Sequence, residues 1–154
     1  MFTMRAIGHV RSPYHDTAQV PKGPGATHDA DGAIEVLPEF EAGLQDIEGF
    51  SHLYLIWAFD RAEPTRDLLA LPPTDDRPHG VFATRSPQRP NPLGLTVVEL
   101  RRRDGATLHV HGVDMIDGTP VLDIKPYLSS VAADRLRFGW FGEAEARRRE
   151  GAGR

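Results

Sequence analysis

The chain has 154 residues, a formal net charge of −4 and no cysteine. Apolar residues make up 40% of it and charged residues 26%, the balance of an ordinary soluble domain with a real core. Without thiols there is no disulfide framework, thiolate metal site or cysteine nucleophile, and the acidic total is unlike that of a uniformly basic nucleic-acid binder.

The N-terminus, MFTMRAIGHVRS, lacks the long apolar stretch of a secretory signal, which predicts a cytoplasmic protein. Residues 6–10 read as a first strand. The loop SPYHDTAQVPKGPG, residues 12–25, has proline and glycine where regular hydrogen bonding would be needed. It is either a connector or a fixed backbone that offers amides and carbonyls to a ligand. Asp31-Gly32 then precedes a second strand at residues 33–37, and a short helix is predicted over residues 40–47 after Pro38.

The run HLYLIWAF, residues 52–59, has no polar face and reads as a strand buried on both sides. It is far shorter than the roughly 20 residues of a membrane-spanning helix. A proline-rich loop at residues 62–78 follows, of a length usually tied to function or mobility. The loop GVFATRSPQRPNPLGLT then carries Pro87, Pro90 and Pro92, which fix φ and remove amide donors, so it is not a central strand. Asn91-Pro92-Leu93-Gly94 fits a type I turn. Arg85 and Arg89 present permanently charged forks suited to carboxylate or phosphate. The loop is either an anion-binding device or a rigid crossover whose arginines pair with surface acids.

Residues 96–102 alternate, with Val98 and Leu100 on one face. After Asp104-Gly105, Leu108 and Val110 alternate with His109 and His111. These histidines have no third ligand at a useful spacing and are expected to face solvent. After Asp117-Gly118, Leu122 and Ile124 alternate with Asp123 and Lys125. Asp-Gly between period-two runs is a hairpin signal, and three such pairs predict antiparallel strands with one wet face. Asp123 and Lys125 share a face as a general-base pair, a polar clamp or a plain ion pair. Arg101, Arg102 and Arg103 form a local basic run that an RNA backbone would attract. A charged, weakly anchored helix is expected over residues 143–150.

A doubly wound nucleotide fold is disfavoured. Its glycine fingerprint has one candidate, GPGATH, where His28 stands at the third glycine and no helix signal follows. The residues predict a mostly β protein: a single antiparallel β-barrel with few short helices, one domain over residues 1–154 whose tail occupies about residues 129–154.

The motifs ATRSPQRPNPLG and DGTPVLDIKPYL together resemble the TsaA-like, or TrmO, family of tRNA methyltransferases. IGHVRSPY, VPKGPG and GFSHLYLIWAF match in the same order, so the resemblance runs from Ile7 to Leu128. It implies a single-barrel enzyme that uses S-adenosyl-L-methionine as methyl donor, without a metal. The family works as a homodimer, away from membranes, and methylates N6 of threonylcarbamoyladenosine at position 37 of tRNA. Carried over by position, donor contacts come from Pro24, Gly25, Asp60, Arg61, Arg85, Ser86, Thr96, Gly112, Val113, Asp114 and Met115. For the acceptor, Asp123 or Asp117 would take the proton, with Lys125 or Tyr127 holding the carbonyl. Arg89, beside Asn91, would clamp the threonine carboxylate of the modified base. Only 26 residues follow Leu128, a tail resembling the family's shorter members. Two other readings stand: a non-catalytic module binding an adenosyl ligand or RNA, and a methyltransferase acting on a small adenine-like metabolite.

Overall fold

Alternating burial organises the longer strands, with apolar side chains inward on β3 and β7 and Gly94, Thr96 and Val98 inward on β6. The computed structural model describes residues 1–22 and 26–152. In order come β1 (Gly8–Arg11), β2 (Asp31–Val36), β3 (His52–Ala58), β4 (Leu69–Ala70), β5 (His79–Gly80), β6 (Leu93–Asp104), β7 (Thr107–His111), β8 (Pro120–Pro126) and helix α1 (Gly139–Ala152). Six strands pair antiparallel in the order β1-β2-β7-β6-β3-β8, and β8 pairs with β1 again, so the hydrogen bonding closes into a barrel. β4 and β5 form a separate two-stranded ribbon. Short 3-10 turns, including Pro38–Leu44 and Ile47–Gly49, replace the helix expected at residues 40–47.

Val10, Ile34, Leu53, Leu55, Val98, Leu108, Val110 and Val121 fill the interior and are essentially without solvent contact. Val113 and Met115, in the segment after β7, join this core. The inward positions of β3 are Leu53, Leu55 and Trp57, whereas His52, Tyr54, Ile56 and Ala58 are half-buried. The strand expected to be buried on both sides is therefore two-faced, because its outer surface has only partial cover. β6 is long enough to serve two neighbours. Its first half pairs with β3, its second with β7, and the register shifts between Leu100 and Arg102. A second shift, between Ile56 and Trp57, re-aims β8 so that Asp123 pairs with Ile56 and Lys125 with Tyr54.

Only one of the three Asp-Gly pairs makes a hairpin. Gly105 takes φ +58 and joins β6 to β7. Asp31-Gly32 lies within β2, where a Cβ on Gly32 would press on the Arg11 carbonyl and on Val113. Asp117-Gly118 turns tightly at φ +84 but hooks onto β1 through Gly118 N–H to Val10 O, 2.8 Å, and the strands on either side of it are not partners. Residues 112–119 are thus a crossover from β7 to β8, and not the turn of a hairpin.

The C-terminal helix is longer and better held than its charge pattern implies. The Trp140 indole N–H donates to the Ala83 carbonyl at 2.7 Å, and its ring stacks on His79 with centroids 4.4 Å apart. Arg147 reaches the Asp75 carboxylate at 3.0 Å. No helix among the described residues is long and apolar enough to cross a membrane.

Candidate functional site

The proline-rich loop closes on itself before it meets anything else. The Arg89 guanidinium donates to the carbonyls of Thr84 (2.9 Å) and Ser86 (3.2 Å), and Thr84 is buried with its hydroxyl on the Val81 carbonyl. Arg89 is thereby part of the loop's own frame. Arg85 is exposed, and its guanidinium donates to the Leu95 carbonyl on β6, which ties the loop to that strand. The expected four-residue turn at Asn91 is absent: Leu93 already belongs to β6, and its N–H bonds the Asn91 carbonyl at 2.7 Å. Asn91 itself is exposed. The loop's end also secures the end of β3, through Phe59 N–H to Pro92 O at 2.9 Å.

Beneath this loop runs a chain of polar contacts. The Trp57 indole N–H donates to Thr96 Oγ1 at 3.1 Å, and Thr96 donates to Asp114 Oδ1 at 2.6 Å. Thr96 is 6% exposed and Asp114 partly so. Gly94 stands opposite Trp57 in the β3–β6 register, and a Cβ there would fall closer than 3.0 Å to the indole ring. Gly112 takes φ +99 with its N–H on the Ala30 carbonyl, and this bend carries the chain from β7 to Asp114. Val113 and Met115 point into the core, so they have only backbone to offer a ligand. Arg85, Thr96, Gly112 and Asp114 thus converge on one stretch of β6 and its surroundings. Ser86 lies in the same loop, partly buried, and its hydroxyl accepts from Gln88 N–H. Asp60 and Arg61 form the exposed turn just after β3. Pro24 and Gly25 lie outside the described residues.

The predicted acceptor-side residues are more dispersed. Asp123 and Lys125 share the outer face of β8 as an ion pair of 3.2 Å, half in solvent. Tyr127 is exposed at the end of the same strand, its ring 5.2 Å from that of Tyr54. Asp117 lies at the other end, accepting from Ser12 N–H at 3.1 Å with Arg11 at 3.8 Å. It lines an open depression of about 360 Å³ with Arg11, Ser12, Asp31 and His109. A larger depression of about 540 Å³, with Glu41, Asp46, Glu48 and Arg103, contains none of the predicted residues.

Acidic partners offset the basic run on β6. Arg101 pairs with Glu99, Arg102 with Asp104, and Arg103 with Glu48 at 2.8 Å. Glu48 is held below the usual carboxylate range, first by a backbone N–H and then by Arg103. His109 and His111, rather than facing water alone, contact Asp104 (3.0 Å) and Asp31 (2.7 Å).

The residue that sequence reasoning missed here is Trp57. Hidden in an apolar run, it read as core, and it is core by burial. Gly94, read as the end of a turn, lies inside β6, and a glycine within a strand marks a close approach by something bulky.

Known proteins match the chain in sequence and in fold. A family model described as the tRNA-methyltransferase O N-terminal domain matches residues 9–133. A probable S-adenosyl-L-methionine-binding protein of Archaeoglobus fulgidus is 51% identical over 143 residues, covering 92% of this chain and 38% of that one. The tRNA (adenine(37)-N6)-methyltransferase of Escherichia coli is 37% identical over 140 residues, 82% of this chain and 58% of its own length. The crystal structure of TrmO from Pseudomonas aeruginosa superposes with a TM-score of 0.72 at 35% identity, covering 90% of this chain and 62% of that one. The chain therefore spans between about two fifths and two thirds of these relatives.

Proposed function

The chain belongs to the tRNA-methyltransferase O N-terminal domain family, and from that premise we propose that it transfers a methyl group from S-adenosyl-L-methionine to N6 of threonylcarbamoyladenosine at position 37 of tRNA. The observation that carries this reading is the convergence of Arg85 and Thr96 with Gly112 and Asp114, from two stretches of the chain, on one part of β6. Arg85 offers a fork for the donor's carboxylate, and Asp114 offers an acceptor for its hydroxyl or amino groups. The family's domain is a single barrel, a methyltransferase architecture distinct from the doubly wound one.

In the reaction the acceptor nitrogen attacks the methyl carbon in line with the carbon–sulfur bond. That bond breaks, the sulfur leaves as a neutral thioether, and the nitrogen's proton passes to a base. Alignment and exclusion of water supply most of the acceleration. Asp123 beside Lys125 is the base we favour, since Ile56 pairs with both Asp123 and Leu95 and so puts it in the sheet row of the Arg85 tie. Tyr127 lies on the same strand end to position the urea-like oxygen. Arg89 has a guanidinium nitrogen beyond the one facing the loop carbonyls, and that nitrogen would meet the threonine carboxylate.

The working unit is a homodimer in the cytoplasm, where tRNA is processed. Exposed Leu93, Leu95 and Val97 beside the Arg85 tie support this, since they make an apolar patch that a second copy would cover. A non-catalytic module is the second reading, favoured by the name of the Archaeoglobus relative as a binding protein. Calorimetry with S-adenosylmethionine, paired with transfer of tritiated methyl to tRNA with and without the threonylcarbamoyl group, separates the two. Binding with transfer only to modified tRNA is expected. Binding without transfer would leave the module.

A further inference from the structure

The contacts between Trp57, Thr96 and Asp114 have a direction that hydrogen-bond chemistry fixes. An indole N–H donates and never accepts. At 3.1 Å from Thr96 Oγ1 it therefore occupies one of that oxygen's lone pairs. The hydroxyl has a single proton, and the short 2.6 Å approach to Asp114 Oδ1 shows where it goes, because a carboxylate only accepts. Asp114 Oδ1 is thus filled from behind, and among the described residues Oδ2 has no hydrogen-bond partner. Thr96 pairs with Leu55 and Trp57 with Gly94 in one β3–β6 register, so two rigid strands hold the donor end of the relay.

We propose that Trp57 is a positioning residue for the methyl-donor site. Its indole N–H orients the Thr96 hydroxyl, which turns Asp114 so that Oδ2 faces a hydroxyl or amine of the adenosyl ligand. The proposal rests on the reading that the segment around Asp114 meets the methyl donor, and it adds two residues on the far side of that contact. Gly94 belongs to the device because only a residue without a side chain lets the indole lie where its nitrogen reaches Thr96. Arg85 bonds the carbonyl of Leu95, between Gly94 and Thr96, so the cationic and acceptor sides of the site are set by neighbouring residues of one strand.

A merely structural tryptophan and a positioning one differ in how substitutions combine. The affinity of the full chain for S-adenosylhomocysteine is measured by calorimetry for Trp57→Phe, Thr96→Val, Thr96→Ser and the Trp57→Phe/Thr96→Val pair. Each lost hydrogen bond is expected to weaken binding by about five- to tenfold. Thr96→Ser, which keeps the hydroxyl, should stay within about twofold of wild type. The double variant should be no weaker than Thr96→Val alone, because both substitutions break one relay. The chain has two tryptophans, so the indole N–H signals in a 15N-labelled sample separate readily. The Trp57 signal should move on adding S-adenosylhomocysteine and stay put in Thr96→Val, whereas that of Trp140 should not respond. Wild-type affinity in Trp57→Phe, together with a Trp57 signal in the wild-type chain that does not move on adding S-adenosylhomocysteine, overturns the relay and leaves the donor site standing. So do additive losses in the double variant. Absence of any binding to the wild-type chain removes the donor site, and the relay with it.

Discussion

Gly94 has no room for a side chain, and that single fact explains more of the site than its expected part in a turn. Its hydrogen faces the Trp57 ring inside the barrel. Gly94→Ala is expected to cost roughly 1–3 kcal/mol through overpacking, read as a lower denaturation midpoint at unchanged slope. Arg85 behaves differently. It is exposed and bonded to one carbonyl, so Arg85→Ala should leave stability within about 0.5 kcal/mol. Donor affinity should fall about tenfold or more, since a charge-assisted contact is lost. Calorimetry and chemical denaturation on the same sample check both halves. Unchanged affinity would return the loop to the status of a crossover.

Elements show where sequence patterns carried information and where they did not. The apolar alternation on β6, β7 and β8 pointed to antiparallel strands, and the structure has them. The three Asp-Gly pairs looked alike, yet only Asp104-Gly105 links neighbouring strands. A dipeptide reports local φ and not which strand lies next door, and the barrel's order inserts β6 and β3 between β7 and β8. In the site, Arg85, Thr96 and Asp114 lay in motifs with visible chemistry, whereas Trp57 lay in an apolar run whose polarity is one nitrogen. The helix α1 was undervalued for a related reason. Its anchors, Trp140 and Arg147, bind a loop some sixty to seventy residues earlier in the chain, beyond any local pattern.

That anchor is sensitive to acid. Asp75, with a side chain 3% exposed, is held down to about 2 from its usual 3.8, first by the hydrogen bond from His79 and then by the Asp76 N–H. A carboxyl lowered in the folded state contributes stability that is complete above about pH 4 and is lost as pH falls toward 2. Because Asp75 also receives Arg147, its protonation loosens the helix together with the loop. Asp75→Asn should flatten this acid limb of stability and quench the difference in Trp140 fluorescence between pH 4 and 2. An acid limb identical to wild type would place the sensitive group elsewhere.

At the scale of the whole molecule, the outer face of β6 is an apolar surface that a monomer leaves uncovered. Leu93, Leu95 and Val97 occupy alternate outward positions of β6 at 38–47% exposure. The charged pairs at its rim, Asp123–Lys125 and Glu99–Arg101, each sum to zero, which suits a second copy better than a polyanion. Sedimentation should report a dimer, and Leu95→Glu should yield monomers with the same far-UV spectrum. A monomeric wild type would contradict the dimer and leave the fold untouched. Arg101, Arg102 and Arg103, which looked like an RNA-binding run, each face a carboxylate, so tRNA contact by that run would first have to displace these pairs.

Methylation of threonylcarbamoyladenosine in tRNA is the activity we propose for this domain. Its most direct test is mass spectrometry of tRNA nucleosides from cells with and without the gene, and from cells complemented with the Arg85→Ala variant. A singly methylated threonylcarbamoyladenosine should disappear when the gene is removed, return with the wild-type chain, and stay low with the variant. An unchanged nucleoside profile in the deletion, with the donor still bound by the purified chain, would contradict it.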